Sequence, residues 1–281
     1  MTVLVTGATG HLGNVLVRNL VEQGERVRAL VLRGESLAPL EGLPIEIVSG
    51  DILDEEILRF AMQGVKRVFH LASLIAIRPG KDEKVWQVNV EGTRNVIQAV
   101  FAAGVKQLIY TSSIHALRRP KTLQVVDEQV PFDPESPAGI YDRSKAKASL
   151  LVHAAATEGL NAIIVCPTGI VGPYDFLGSE MGLFIRQAMR QRVILAIEGG
   201  FDFVDVRDVA KGLILASEYG QTGSTYLLSG EWVTLKEMLH RVGQLSGKSF
   251  KVILLPFKMA LRLARLNTIL GQWFHLRPRL T

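Results

Sequence analysis

Three glycines recur every third residue in Thr6-Gly-Ala-Thr-Gly-His-Leu-Gly13, directly after the apolar run Val3-Leu-Val5. Gly7, Gly10 and Gly13 permit a tight turn and close backbone approach, and a helix starting there presents unpaired N–H groups and a partial positive charge. The chemistry on offer is phosphate binding, with a pyrophosphate as the natural guest. Two further sets of residues stand at positions where chemistry is done. Ser112-Ser113 follows the apolar run Lys106 to Thr111, and Tyr141-Asp-Arg-Ser-Lys145 puts a phenol and an ammonium four residues apart, on one face of a helix.

The elements that must position these groups follow from periodicity. Val3 to Val5 has the apolar, β-branched character of a buried parallel strand, while Leu12, Val15, Leu16, Asn19 and Leu20 recur at helical spacing. Val27 to Leu32 predicts the second strand, Ile45 to Val48 the third, Val65 to Leu71 the fourth, Lys106 to Thr111 the fifth and Ala162 to Cys166 the sixth. Asp51 and Ile52 stand at the carboxyl end of strand three, where open α/β sheets bind ligands. Asp51 there can accept from an adenine amino group or cap the next helix. The small residues of His70-Leu-Ala-Ser73 let backbone lie close to a cofactor, with His70 itself read as a packed histidine.

Helices are predicted over Glu83 to Ala103, ended by Gly104, and from Tyr141 to Glu158. Between them residues 114 to 140, with prolines at 120, 131, 134 and 137, show no periodicity and read as a lid. This is an α/β Rossmann fold, a doubly wound parallel sheet over residues 1–173, with 202–217 returning to it. Residues 174–281 are mainly a smaller substrate lobe, the chain after 173 running through helices over 180–190, 207–218 and 235–245, short strands near Val193, Phe203, 225–228 and 250–255, then a basic amphipathic helix over 257–270.

The end of strand two bears on the choice of cofactor. A carboxylate there would bind the adenosine ribose hydroxyls and favour NAD, but Val31 and Leu32 lead into Arg33, which can receive a 2′-phosphate. NADP is favoured modestly over NAD.

Composition narrows the classes. Of 281 residues 48% are hydrophobic and 21% charged, which a globular chain with one large core or two smaller ones satisfies. No basic leader and no run of 18 apolar residues is present, so a cytoplasmic protein is expected. Cys166, the single cysteine, excludes an internal disulfide and reads as a buried strand residue; no cluster has metal-ligand spacing. Eight of the 32 basic residues, and none of the 27 acidic ones, lie between Met238 and Thr281, so the net charge of +5 belongs to the tail. A solvated face on a docked helix is favoured over a membrane-surface site there, with Lys258, Arg262 and Arg265 along one side. Nothing supports nucleic-acid binding.

Over residues 1 to 255 the chain resembles the extended branch of the short-chain dehydrogenase/reductases, which includes dihydroflavonol reductase-like enzymes and nucleotide-sugar epimerases. The resemblance rests on T-G-A-T-G-H-L-G at 6 to 13, G-D-I at 50 to 52, T-S-S at 111 to 113, Y-D-R-S-K at 141 to 145, P-T-G-I-V-G-P at 167 to 173 and F-V-D-V-R-D-V-A at 203 to 210. It implies that Ser113 holds the substrate oxygen, Tyr141 is the acid/base, and Lys145 binds the nicotinamide ribose and tunes Tyr141. It also implies a cofactor-binding set of Gly7, Thr9, Gly10, His11, Leu12, Gly13, Arg33, Asp51, Ile52, Leu71, Ala72, Ser73, Tyr141, Lys145, Pro167, Thr168, Gly169 and Ile170, and a homodimer. Bringing a phenol from pKa ~10 to near neutrality takes ~4 kcal/mol, for which a lysine and an oxidised nicotinamide are suitable sources. Ser113 is preferred to Ser112 because strand side chains alternate in direction.

The function so implied is hydride transfer between nicotinamide and a carbonyl or alcohol. A nucleotide-sugar 4-epimerase is the alternative, and a non-catalytic cofactor sensor a third reading. Dehydration is disfavoured, since Ile114 and His115 follow Ser113 where sugar-nucleotide dehydratases carry a Thr-Asp-Glu set. Many members of the branch continue past the position of Pro278-Arg-Leu-Thr281, so a reduced substrate lobe or a truncated chain is expected.

Overall fold

A computed structural model describes residues 1–75, 82–120, 125–248 and 251–256. Contacts divide the chain into two units, Met1–Leu177 with Val204–Gly230, and Gly178–Phe203 with the described residues from Glu231 onward.

The first unit is built on seven parallel strands. They are β1 (Thr2–Thr6), β2 (Arg26–Val31), β3 (Glu46–Ser49), β4 (Val65–His70), β5 (Gln107–Thr111), β6 (Ala162–Pro167) and β10 (Thr225–Leu228). Their order across the sheet is β10-β6-β5-β4-β1-β2-β3. In register Val5 lies beside Ala29 on one side and Phe69 on the other. Strand order reverses at β1, so the carboxyl ends of β1 and β4 flank the switch point where such sheets take ligands.

Both faces are covered, which is why the central strands read as apolar runs rather than alternating ones. One core joins Val3, Val5, Phe69, Ile109 and Ile163 to α1 (His11–Glu22) and α7 (Val206–Tyr219). The other joins Leu4, Val68, Leu108, Tyr110 and Ile164 to α2 (Glu55–Ala61), α4 (Gly92–Ala103) and α5 (Ile140–Thr157). Cys166 is fully buried in this second core.

The single helix expected over 83–103 has a break in its periodicity. It runs as α3 (Asp82–Trp86), a π turn at Gln87–Glu91, and then α4, which Gly104 ends in the left-handed conformation. The extra residue accommodated by a π turn rotates the helix before it relative to the helix after it. Asn89 sits in that turn, 1% exposed.

In the second unit β8 (Val193–Ile197) pairs in parallel with β12 (Lys251–Leu255), while β11 (Glu231–Thr234) runs antiparallel to β9 (Gly200–Asp205). α6 (Glu180–Ala188) and α8 (Leu235–Ser246) bury Ala188 and Leu239 with Ile194 and Ala196. Thr234 and Glu237 cap α8 reciprocally. The basic helix expected over 257–270 lies outside the described residues, as do 76–81 and 121–124.

Candidate active site

The glycine turn is shaped by contacts that leave no room for side chains. Gly7 has φ +69°, and a Cβ there would lie 2.7 Å from the Ala72 nitrogen; on Gly13 it would lie 2.0 Å from the Gly7 carbonyl oxygen. The first packs the turn onto the end of β4, the second packs α1 onto the turn. Gly10 stands at the N-cap of α1, and no side chain caps that helix. No side chain takes up its first N–H groups, and the helix dipole lies behind them, an arrangement in which an anion can be held.

The remaining residues expected near a dinucleotide gather at the same sheet edge or next to it. His11 bonds the Pro173 carbonyl through Nε2 at 2.9 Å, and Leu12 is buried beneath the turn. The Leu71 amide donates to the Thr6 carbonyl and the Ala72 amide to Thr6 Oγ1, both at 3.2 Å. Ile52 is buried beside α4, with Asn95 donating to its carbonyl at 3.3 Å. Pro167 ends β6, the Thr168 amide donates to the Leu228 carbonyl at 3.0 Å, and Gly169 and Ile170 lie half-buried in β7 (Gly169–Val171). Of the two roles open to Asp51, capping the helix falls to Asp54, whose Oδ1 accepts from Glu56 and Ile57, while Asp51 accepts from the Leu53 amide. Arg33 is exposed just past β2. Near it stands a carboxylate that periodicity does not reveal: Glu35 accepts the Thr9 hydroxyl at 2.6 Å.

Ser113, Tyr141 and Lys145 converge where β5 meets α5. Ser113 Oγ accepts from the His115 amide at 3.2 Å, and its hydroxyl is close enough to Tyr141 to act on the phenol's pKa. Ser112 points elsewhere, its Oγ 2.7 Å from that of Ser149. Lys145, 2% exposed, donates Nζ to the Thr111 carbonyl at 2.7 Å and lies 4.5 Å from the Tyr110 ring centroid.

The electrostatics differ from the expectation that Lys145 lowers Tyr141. Burial pushes the Tyr141 phenol up to about 12, the nearby Ser113 hydroxyl acting the other way and the Asp142 charge reinforcing the rise. Burial likewise drives the Lys145 ammonium down to about 7. At neutral pH the Tyr141 phenol in this environment keeps its proton. Burial also opposes the charge of Asp142, but His115 at 3.5 Å and Arg119 at 2.8 Å overcome it and hold the carboxyl below its ordinary range.

Several residues at the site escaped the sequence. Asn89 Oδ1 accepts from the Leu74 amide at 2.7 Å and from Ser73 Oγ at 3.1 Å, and its Nδ2 donates to the Leu74 carbonyl and to Ser144 Oγ. Ser144 in turn donates to the Tyr141 carbonyl at 2.8 Å. Asn89 thus ties the segment after β4 to the first turn of the helix carrying Tyr141. The available signal was a lone amide one turn after Val85 on an apolar stripe.

Residues 3–229 match the model of the NAD dependent epimerase/dehydratase family. The chain belongs to that family. Within it, the chain is 38% identical to a sterol demethylase protein B of Methylococcus capsulatus, covering 100% of this chain and 85% of that one. It is 35% identical to a putative dihydroflavonol 4-reductase of Synechocystis, covering 86% and 72%. The UDP-glucose 4-epimerase of Thermus thermophilus in complex with NAD superposes with a TM-score of 0.78 at 25% identity, over 91% of this chain and 86% of that one. This is an NAD(P)-dependent enzyme of the extended short-chain dehydrogenase/reductase type, with reductases and sugar epimerases both among its relatives.

The residues present fit the family's cofactor. The close backbone packing that Gly7 and Gly13 permit draws the turn tight against β4 and α1, and the start of α1, which no side chain caps, suits a pyrophosphate. Among the described residues no group of three or more His, Cys, Asp or Glu could hold a metal ion, and no helix is long and apolar enough to cross a membrane.

Proposed function

We propose that this family member is a carbonyl reductase, or in reverse an alcohol dehydrogenase, with Tyr141 as proton donor, Ser113 as the holder of the substrate oxygen and Lys145 as the partner of the nicotinamide ribose. The observation that carries this reading is the gathering, where β5 meets α5, of Ser113, of Lys145 with its Nζ 2.7 Å from the Thr111 carbonyl, and of a Tyr141 phenol that burial keeps protonated up to about 12. The nicotinamide supplies the hydride when bound. A carbonyl oxygen within reach of both hydroxyls is polarised by two donors, and Tyr141 gives up its proton as negative charge develops there. In the oxidising direction Tyr141 must first lose its proton, which its burial opposes.

Gly7, Thr9, Gly10, His11, Leu12 and Gly13 hold the phosphates and adenosine in this reading, Leu71 to Ser73 lie along the cofactor, and Pro167 to Ile170 flank the nicotinamide. Arg33 supports a modest leaning to NADP, since it is an exposed cation at the end of β2. The apolar side chains Phe101 and Leu150, 43% and 39% exposed on α4 and α5, support a homodimer through those helices. A cytoplasmic location is part of the same proposal.

The likeness to UDP-glucose 4-epimerases favours a second reading, interconversion of a nucleotide sugar with retained cofactor. One panel separates the two. NADPH and NADH oxidation is followed against aldehydes, ketones and 4-ketosugar nucleotides, with product analysis of UDP-sugars in parallel. Stoichiometric oxidation with a carbonyl supports the reductase. Sugar interconversion without net oxidation replaces it with the epimerase, and no cofactor binding by correctly folded protein removes both.

A further inference from the structure

His70 ends β4 with its side chain wholly buried, and nothing in the hydride-transfer reading uses it. Both ring nitrogens are nonetheless engaged, Nδ1 at 2.7 Å from Thr6 Oγ1 and Nε2 at 3.0 Å from Thr93 Oγ1. The hydrogens can be placed by counting donors. The Thr93 hydroxyl has one hydrogen, donated to the Asn89 carbonyl at 2.7 Å, so towards His70 it accepts and Nε2 carries the proton. Nδ1 then accepts from Thr6, whose oxygen in turn accepts the Ala72 amide at 3.2 Å.

These bonds form one unbroken line from the Ala72 amide through Thr6, His70 and Thr93 to the Asn89 carbonyl. One end is the floor of the glycine turn, since Ala72 is the residue that a Cβ on Gly7 would strike. The other end is the π turn, whose Asn89 side chain reaches Ser144 and, through it, the Tyr141 carbonyl. Hydride transfer requires the cofactor and the proton donor in register to within a few tenths of an ångström, and the two sit on different elements. A rigid ring with an acceptor at one nitrogen and a donor at the other spans them.

We propose that His70, as the neutral tautomer protonated at Nε2, is a positioning residue that holds the dinucleotide turn and the catalytic helix in register. The proposal rests on the reading of Gly7 to Gly13 as the cofactor site and Tyr141 as the proton donor. Its two arms are separable by substitution. An asparagine amide reaches the place of Nδ1 and keeps the Thr6 arm; a glutamine amide reaches the place of Nε2 and keeps the Thr93 arm.

The experiment compares His70→Asn, His70→Gln and Thr93→Val with the wild type. NADH and NADPH dissociation constants are read by cofactor fluorescence, thermal midpoints by circular dichroism, the His70 tautomer by imidazole ¹⁵N shifts, and kcat and KM with whichever panel carbonyl is reduced. His70→Gln is expected to lose more cofactor affinity than His70→Asn, by about tenfold, the equivalent of one hydrogen bond. His70→Asn and Thr93→Val are expected to lose more kcat than His70→Gln, by about 10- to 100-fold with KM little changed. An Nδ1–H tautomer overturns the proposal. So do thermal midpoints that fall together while affinities and kcat stay at wild-type values, which is the mark of a merely structural histidine. Should no carbonyl be reduced, the reductase reading fails, and the tautomer and the split in cofactor affinity still decide the role of His70.

Discussion

Lys145 donates its ammonium to the Thr111 carbonyl at 2.7 Å, a backbone group of the strand that leads into Ser113. The bond fixes the lysine to the end of β5. It also places a titratable cation where water does not reach, and that has a thermodynamic signature.

Burial takes the Lys145 pKa down to about 7 in the folded chain, while in the unfolded chain it keeps the ordinary value of ~10.4. Between those values the unfolded state binds more protons, so stability rises with pH across that window. Lys145→Met should accordingly gain stability over the wild type as pH falls from about 10 to 7, by a few kcal/mol in all, and the gain should level off below 7. Urea unfolding of both proteins at a series of pH values measures it.

Tyr141→Phe removes the proposed proton donor while leaving the ring against His115, 6.0 Å between centroids. Turnover should fall by about 10²- to 10⁴-fold, the usual share of a general acid, with cofactor affinity unchanged. Steady-state kinetics and fluorescence titration of the same preparation separate the two effects, and full activity in the variant would remove the mechanism.

Gly13→Ala puts a methyl group 2.0 Å from the Gly7 oxygen, so α1 must move off the turn. We expect cofactor binding to be lost and the thermal midpoint to fall. Gly24→Ala, in a turn with open space around it and φ +79°, should cost stability through backbone strain alone and keep the cofactor. Fluorescence titration and thermal unfolding of the two variants side by side check both outcomes.

If the adenosine ribose lies at the end of β2, Glu35, bonded to Thr9, and the nearby Arg33 are expected to pull cofactor choice in opposite directions, because a 2′-phosphate would be repelled by one and received by the other. Glu35→Gln should raise affinity for NADPH relative to NADH, and Arg33→Ala should lower it, each by about tenfold, the scale of one charged contact. Calorimetric titration with both cofactors gives the ratio. Equal shifts for NADH and NADPH would remove these side chains from the selection.

Much of this site is legible in the sequence because it is written in local rules. The glycine turn announces itself by spacing, and strand alternation separates Ser113 from Ser112, which does turn away, to Ser149. The residues that stay hidden depend on register and enclosure. Asn89 is masked because a π turn breaks the 3.6-residue period on which helix reading relies. Glu35 reaches Thr9 across 26 positions, a side-chain contact no periodicity encodes. The direction of the Tyr141 shift comes from desolvation, which a four-residue spacing to Lys145 cannot report.

The path of the chain through the first unit has a consequence for its synthesis. The core on one face of the sheet, with Leu108, Val152 and Ile164, draws its fully buried members from residues 4 to 166. The core on the other face waits for Val206, Val209, Ala210, Leu213 and Ile214. Between them the chain leaves at Leu177 and returns at Val204, so a nascent polypeptide emerging from the ribosome exposes Val5, Phe69 and Ile163 while the intervening 26 residues are made. Chaperone capture of stalled chains should peak over that interval.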